Sequence, residues 1–298
     1  MRFAVTGGAG FVGSYLVKLL VEKGHLVKVI DNLHKGKIEN LHEVRDRIEF
    51  HNIDIQDYAS IEKELRDIDG VFHHAALTVV QDSFKMPEKY HNVNVEGTEN
   101  IFRIAQKNNF KVVYASSSSV YGHQKIVPIL ENFDKNPINP YGKTKLDDEN
   151  LAEKYAKLGV KIIGLRYFNI FGKGQTLEYA GVITKFLDRV KDKKPPIIFG
   201  TGSQIRDFIH VKDVVNANLL AMKSDVPYLH ANIGTGNSIS ILELAKIIIN
   251  ESGIDLEPIM SEALEGDIEK SQADITLAKR EFGWKPEMKL KCWLKEVI

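Results

Sequence analysis

The chain has 298 residues, 43% of them hydrophobic, with 40 Lys and Arg balanced by 40 Asp and Glu. Zero net charge leaves no electrostatic case for nucleic acid or an anionic membrane as partner, and the single cysteine, Cys292, excludes an intrachain disulfide and a cysteine-cluster metal site, so no metal is expected. No apolar run approaches the roughly 20 residues of a membrane helix, and "MRFAVTGG" lacks the layout of a signal peptide, so a cytoplasmic enzyme is expected.

The first half alternates short apolar runs with stretches of helical period. Residues 2–5, 26–30, 48–52, 70–74, 111–115 and 161–166 read as strands. Between most of them apolar residues recur at helical spacing, as at Val12, Leu16, Leu19 and Leu20. Strand–helix alternation predicts a parallel sheet covered on both faces, a doubly wound α/β fold. Past residue 168 the rhythm changes to polar, glycine-bearing loops, the Pro195–Pro196 pair and a strand–turn–helix unit, with Ser240 and Glu243 forming a capping-box signature. The expected division is residues 1–168, together with 208–233, as one lobe, and 169–207 with 234–298 as a smaller mixed lobe.

"FAVTGGAGFVGSYLVKLL" follows the first strand and opens the first helix. Gly7, Gly10 and Gly13 lack β-carbons, so the backbone can turn tightly and approach a pyrophosphate at a helix N-terminus. The second strand ends in Asp31, 18 residues after Gly13. A carboxylate there accepts both hydroxyls of an adenosine ribose and repels a 2′-phosphate, which favours NAD over NADP. Asp54 and Ile55, at the end of the third strand, are placed to hold the adenine. Ala75 and Ala76 end the fourth and are small enough for a dinucleotide to cross. His73 and His74, just before them, read as strand-end packing.

"NPYGKTKLDDENLAEKYAKLG" (139–159) reads as a helix with Pro140 at its start and Gly159 at its end, and with Leu146, Leu151, Tyr155 and Leu158 as its apolar stripe. Tyr141 and Lys145 share one face. A free phenol ionises near pH 10, and a neighbouring ammonium and an oxidised nicotinamide both favour its phenolate. Tyr–Lys beside NAD is therefore an acid–base device for taking a hydroxyl proton while hydride leaves the carbon. A serine hydroxyl near the same oxygen would position the substrate. The run Ser116–Ser119 ends the fifth strand, and alternation puts Ser117 and Ser119 on one side.

Together these segments resemble the extended short-chain dehydrogenase/reductase family and, within it, the NAD-dependent epimerase/dehydratase group. "TGGAGFVG", "DNL", "HHAAL", "NVEGT", "SSSSVYG", "PYGKTK", "RYFNIFG", "FGTGSQIRDFIHVKD" and "NIGTG" stand in the family's order over nearly the whole chain. The resemblance implies a Rossmann sheet with a nucleotide-sugar lobe, Tyr141 as the base, Lys145 as its tuner and ribose ligand, and Ser117 as the serine of the catalytic set. It implies NAD contacts from Gly7, Gly10, Phe11, Val12, Gly13, Asp31, Asn32, Asp54, Ile55, Ala75, Ala76, Asn94, Tyr141, Lys145 and Tyr167. For the substrate it implies Ser117, Tyr141, Asn169, Val182, Ile197, Phe199, Arg206, Asp267 and Ser271, with Arg206 on the diphosphate and Phe199 on a uracil. The bland alternative for Arg206 is a surface pair with Asp207.

Within the family, related 4,6-dehydratases carry acids where this chain has Ser118 and Ser119, and related decarboxylases a glutamate at Ser119. Their absence points to 4-epimerisation of a UDP-hexose through a 4-keto sugar, with UDP-glucuronate as an alternative substrate. Two features depart from relatives: Leu264 stands where many have a diphosphate-gripping arginine, and Phe208 replaces a tyrosine. Relatives with a bulky tyrosine at the position of Ser271 resist N-acetylated sugars, so Ser271 implies room for them. An NAD-dependent dehydrogenase of a small alcohol such as threonine is the competing enzyme reading. An NAD-sensing regulator is the non-enzymatic one, disfavoured because Tyr141 and Lys145 are both intact. The family's habit implies a homodimer through the helices near 92–107 and 142–158.

Overall fold

The chain was analysed as a computed structural model that describes residues 1–175 and 181–298. In chain order its first half runs β1 (Arg2–Thr6), α1 (Phe11–Glu22), β2 (Leu26–Ile30), β3 (Ile48–His51), α2 (Tyr58–Glu64), β4 (Gly70–His73), α3 (Val80–Lys85), α4 (Pro87–His91), α5 (Gly97–Asn108), β5 (Lys111–Ser117) and α6 (Pro140–Lys157). Next come β6 (Ile162–Tyr167), β7 (Asn169–Phe171), α7 (Val182–Lys191), β8 (Ile197–Phe199), β9 (Ile205–Arg206), β10 (Phe208–His210), α8 (Val211–Lys223) and β11 (Tyr228–Ile233). The chain closes with β12 (Ile239–Ser240), α9 (Ile241–Ser252), β13 (Ile259–Ser261), α10 (Thr276–Phe282) and α11 (Leu290–Val297).

Among the described residues seven strands form one sheet, ordered β11-β6-β5-β4-β1-β2-β3 with every pairing parallel. Its strands are near-continuous apolar runs because both faces are covered by helices. Phe3, Val5, Phe72, Val113 and Ile163 pack with α1 and α8 on one face. Ala4, Val71, Val112, Tyr114 and Ile162 pack with α5 and α6 on the other. The strand order reverses between β1 and β4, which opens a crevice at the carboxyl ends of those two strands. Three two-stranded pairs, β7–β10, β8–β13 and β9–β12, and a third apolar cluster around Phe186, Ile198, Leu244 and Trp293 build the smaller lobe.

Helix α6 carries Tyr141 and Lys145. Asn139 caps it, its Oδ1 accepting from the Gly142 amide at 2.8 Å, with Pro140 at its first position. The expected apolar stripe is only partly there. Leu146 and Leu151 are half-buried, and Leu158 is the C-cap and 55% exposed. The buried face instead carries Thr144, Lys145, Asp148, Glu149, Ala152 and Tyr155. Polar residues face inward because the sheet presents polar partners to them. Arg166 of β6 donates from Nε to Glu149 Oε1 (2.7 Å) and from Nη2 to Oε2 (2.8 Å), a two-pronged pair. Its Nη1 donates to the Tyr121 hydroxyl, and Ser116 of β5 donates to Glu149 Oε1. The interior Ser116 is thus a strut between strand and helix.

This pair generates a stability prediction. Burial pushes the Glu149 carboxyl up, but Arg166 and Ser116 overcome it and hold it below the ordinary glutamate value of 4.5. A lowered folded-state value means stabilisation that is complete above pH 4.5 and lost as pH falls through the folded value. Arg166→Met, leaving Glu149 unpaired in the interior, should cost about 3–5 kcal/mol in denaturant unfolding at neutral pH. Most of that difference from the wild type should vanish below the titration of Glu149.

Candidate active site

The sheet's crevice is built by local geometry. Gly7 has φ +68, and a β-carbon there would meet the Ala75 amide nitrogen at 2.7 Å. The loop after β1 therefore lies directly on the end of β4, which only glycine permits. Asp31 closes β2: its Oδ2 accepts from the Ala9 amide (3.0 Å) and its Oδ1 from the Leu33 amide (2.8 Å), and burial pushes its carboxyl up against those bonds. Asp54 holds Asn32 from across the crevice, accepting from its Nδ2 at 2.7 Å.

Gly7, Gly10, Asp31, Asn32, Asp54, Ile55, Ala75 and Ala76 line one cavity of about 350 Å³, joined by His34, Gly36, His74 and Leu77. A β-carbon-free floor at a helix N-terminus, small residues at the end of β4 and a carboxylate at the end of β2 fit the phosphates, the crossing and the ribose of a dinucleotide.

Other residues expected at the cofactor lie elsewhere. Phe11 stacks edge-on against Tyr15, Val12 packs on the core and Gly13 is buried in the first turn of α1. Asn94 has a second set of partners. It is fully buried, accepting from the Leu77 amide and donating to the Leu77 carbonyl and Thr144 Oγ1, so its amide pins the loop after β4 to α6. The Tyr167 hydroxyl lies between Asn218 (2.7–3.0 Å) and His74 Nε2 (3.0 Å). His73 bridges Thr6 Oγ1 (2.6 Å) and Thr98 Oγ1 (2.9 Å), a packing role. Burial and then Lys145 pull the His73 and His74 imidazoles down, His74 to about 4, so both are neutral at pH 7.

The serines resolve as a cap. β5 runs through Ser117, and residues 118–121 turn in a single 3₁₀ segment. Ser117 Oγ accepts from the Ser119 amide and donates to Ser119 Oγ, both at 3.1 Å. The two side chains meet because one caps the turn that holds the other, not because they alternate along a strand. The first turn of α6 sits against that segment: a β-carbon on Gly142 would lie 2.8 Å from the Ser119 carbonyl oxygen. The helix turn that carries Tyr141 and the serine turn that Ser117 caps are thereby packed together. Lys145, 3% exposed, donates to Asp148 Oδ2 at 3.0 Å. Asp148 is fully buried, and the sequence reading missed it.

In the smaller lobe Asn169 begins β7, Val182 begins α7, Ile197 and Phe199 bound β8, and Phe199 is exposed. Arg206 pairs with Asp267, not with its neighbour Asp207. Asp207 is fully buried and accepts from the Thr235, Gly236 and Ala273 amides and the Thr235 hydroxyl. Burial pulls the Arg206 guanidinium down, with Asp267 opposing. Gln204 Nε2 reaches Asp267 Oδ2 at 3.4 Å, and the Ser271 amide donates to the Ile205 carbonyl at 3.2 Å, with the Ser271 side chain buried. The loop bearing Asp267 also touches the larger lobe. Gln81 of α3 donates to the Glu265 carbonyl at 3.0 Å, and Gly266 lies against Phe84 and the cap residue Asn139.

Residues 3–234 match the NAD dependent epimerase/dehydratase family. The chain is 35% identical to the UDP-glucose 4-epimerase of Lactobacillus helveticus, over 96% of this chain and 92% of that one. It superposes with a TM-score of 0.94 on the UDP-N-acetylglucosamine 4-epimerase of Methanobrevibacter ruminantium in complex with UDP-N-acetylmuramic acid, at 35% identity, covering 99% of this chain and 96% of that one. The UDP-glucose 4-epimerase of Thermotoga maritima with UDP-glucose gives the same TM-score and coverage at 36% identity. A dinucleotide crevice at the strand-order reversal, a Tyr–Lys helix packed on a serine turn, and a family match over most of the length agree: this chain belongs to the NAD dependent epimerase/dehydratase family.

Proposed function

We propose that the protein epimerises a UDP-hexose at C4, with UDP-glucose and UDP-galactose as its pair and N-acetylated forms also accepted. The observation that carries this reading is the composition of the turn against which α6 packs. It supplies hydroxyls, at Ser117, Ser118 and Ser119, and no carboxylate. Elimination of water needs an acid for the leaving oxygen and a base for a carbon-bound proton. Epimerisation needs only one group that takes a proton and returns it, and Tyr141 suffices.

Gly7, Gly10, Asp31 and Ala75 would hold NAD, which when bound would supply reversible hydride acceptance. Tyr141 takes the proton of the 4-hydroxyl and returns it to the same oxygen once the 4-keto sugar has turned over. Ser117 accepts from the Ser119 amide, so its own proton can swing from Ser119 Oγ to the sugar oxygen. Lys145, buried on the same face of α6, holds positive charge beside the phenol. Arg206 is the cation for the diphosphate, already paired with Asp267, and the loop that ends at Asp267 carries Leu264 where an arginine is common in relatives. The small, buried Ser271 beside the Arg206 strand supports room for an N-acetyl group.

Incubation with UDP-galactose should yield UDP-glucose with no net NADH, read by chromatography and absorbance at once. Net NADH with a simple alcohol and no sugar interconversion would instead support the dehydrogenase reading. Tyr141→Phe should lower kcat at least about 100-fold while its affinity for the UDP-sugar, measured by calorimetry, stays within a few-fold of the wild type.

A further inference from the structure

Helix α6 bears two adjacent acids with opposite fates. Asp147 pairs with Lys143 at the surface, whereas Asp148 is fully buried. Tyr141, Lys145 and Asp148 stand at i, i+4 and i+7, one stripe of the helix. Asp148 Oδ2 lies 3.0 Å from Lys145 Nζ and, among the described residues, is the only hydrogen-bond acceptor of that ammonium. The Thr98 hydroxyl on α5 also bears on this carboxylate and favours its charged form. A fully buried carboxylate is costly, and an apolar residue of similar size would serve packing better. Stability does not account for it, but the neighbouring lysine does.

Resting on the 4-epimerase reading above, we propose that Asp148 is a positioning residue of the catalytic centre, whose carboxylate fixes the Lys145 ammonium on the Tyr141 face of α6. The donor count favours this. An ammonium has three protons; one is spent on Asp148, and two remain for the phenol oxygen and a cofactor hydroxyl. The carboxylate also secures the charge. Burial pushes the Lys145 ammonium down, but Asp148, then Tyr141 and Glu149, outweigh it and hold the ammonium above its ordinary value. Burial pushes the Asp148 carboxyl up to about 6, opposed by Lys145 and Thr98. The titratable and charged groups around the pair are Asp147 and Glu149 on α6, Tyr114 on β5, and His73 and His74 at the end of β4. Both histidines are neutral at pH 7, so Asp148 is the group that changes charge near pH 6. Protonation there releases Lys145, so kcat should fall on the acid side.

The test compares wild-type holoenzyme with Asp148→Asn from about pH 5 to pH 9, using a UDP-sugar that the wild type turns over. We expect the variant to lose ~10–100-fold in kcat, to keep KM within about twofold, and to lack the acid limb near pH 6 that the wild type shows. A variant that keeps its kcat overturns the assignment. So does one that keeps the limb and loses kcat only along with thermal midpoint and bound NAD, since that marks a structural role. Should the variant not fold, ¹³C-carboxyl labelling decides. The Asp148 carboxyl should titrate near pH 6 in the wild type and at higher pH in Lys145→Met, and an unchanged midpoint overturns the proposal. That titration needs no substrate, so it separates a wrong role for Asp148 from a wrong sugar reaction.

Discussion

The two-pronged bond between Arg166 and Glu149 is the constraint on which the rest of the site depends. Arg166 stands in the sheet and Glu149 on α6, and both are buried. Two parallel N–H···O bonds fix the relative orientation of a planar guanidinium and a planar carboxylate, which apolar contacts would leave free to slide. The same guanidinium holds the Tyr121 hydroxyl and the Glu131 carbonyl, and Tyr121 donates to Asn232 of β11. Strand, α6 and serine turn are therefore set by one cluster. The phase of α6 follows: with Glu149 inward, Asp148 and Lys145 are buried as well, and Tyr141 stands in the first turn, which packs on the serine turn. The desolvation of two charges is the cost of that rigidity, and it is met by leaving few of their hydrogen-bonding atoms unsatisfied.

A second set of contacts joins the lobes. Asp207 gathers three amides and one hydroxyl from two separate stretches of the smaller lobe, so the strand that carries Arg206 is held firmly at its base. Asp267 takes the guanidinium and belongs to a loop that reaches the larger lobe through Glu265 and Gly266. The cation is thus placed and partly neutralised before any diphosphate arrives. A diphosphate bound as proposed would meet an oriented guanidinium and would have to compete with the carboxylate that holds it.

The sheet and the cofactor crevice were legible in the sequence because their signals are local. The strands sit within two residues of where the apolar runs place them, and Gly7, Gly10 and Asp31 mark the crevice by chemistry at fixed spacing. What escaped depends on partners far away in the chain. Leu158 looked apolar and inward, yet α6 ends there and leaves it exposed. The bland alternative for Arg206, a pair with its neighbour Asp207, fails because its carboxylate partner, Asp267, lies 61 residues on. Asn94 also joins the loop after β4 to α6 through Leu77 and Thr144, a role that its order and spacing did not announce. Ser119 meets Ser117 through a turn that a strand reading could not see. Asp148 alone had a usable signal, its place at i+7 from Tyr141, and an acid on a helix stripe is normally read as solvated.

The hydrogen bonds inside this centre also bear on the direction of proton traffic. Lys145 donates to Asp148, and His73 is held between Thr6 and Thr98; every one of these partners is buried. Lys145 itself is 3% exposed. A dehydrogenase with net turnover must pass a proton to water each cycle and gains from a chain of titrating groups that leads outward. An enzyme that returns the proton to the oxygen it came from has no such need and gains from a sealed base, since leakage would strand the ketone. Neutral histidines, a lysine held charged by a buried carboxylate and hydroxyls in place of acids are what the proposed epimerisation, which returns its proton, would ask of these groups. That economy agrees with an internal redox cycle better than with net oxidation of an alcohol.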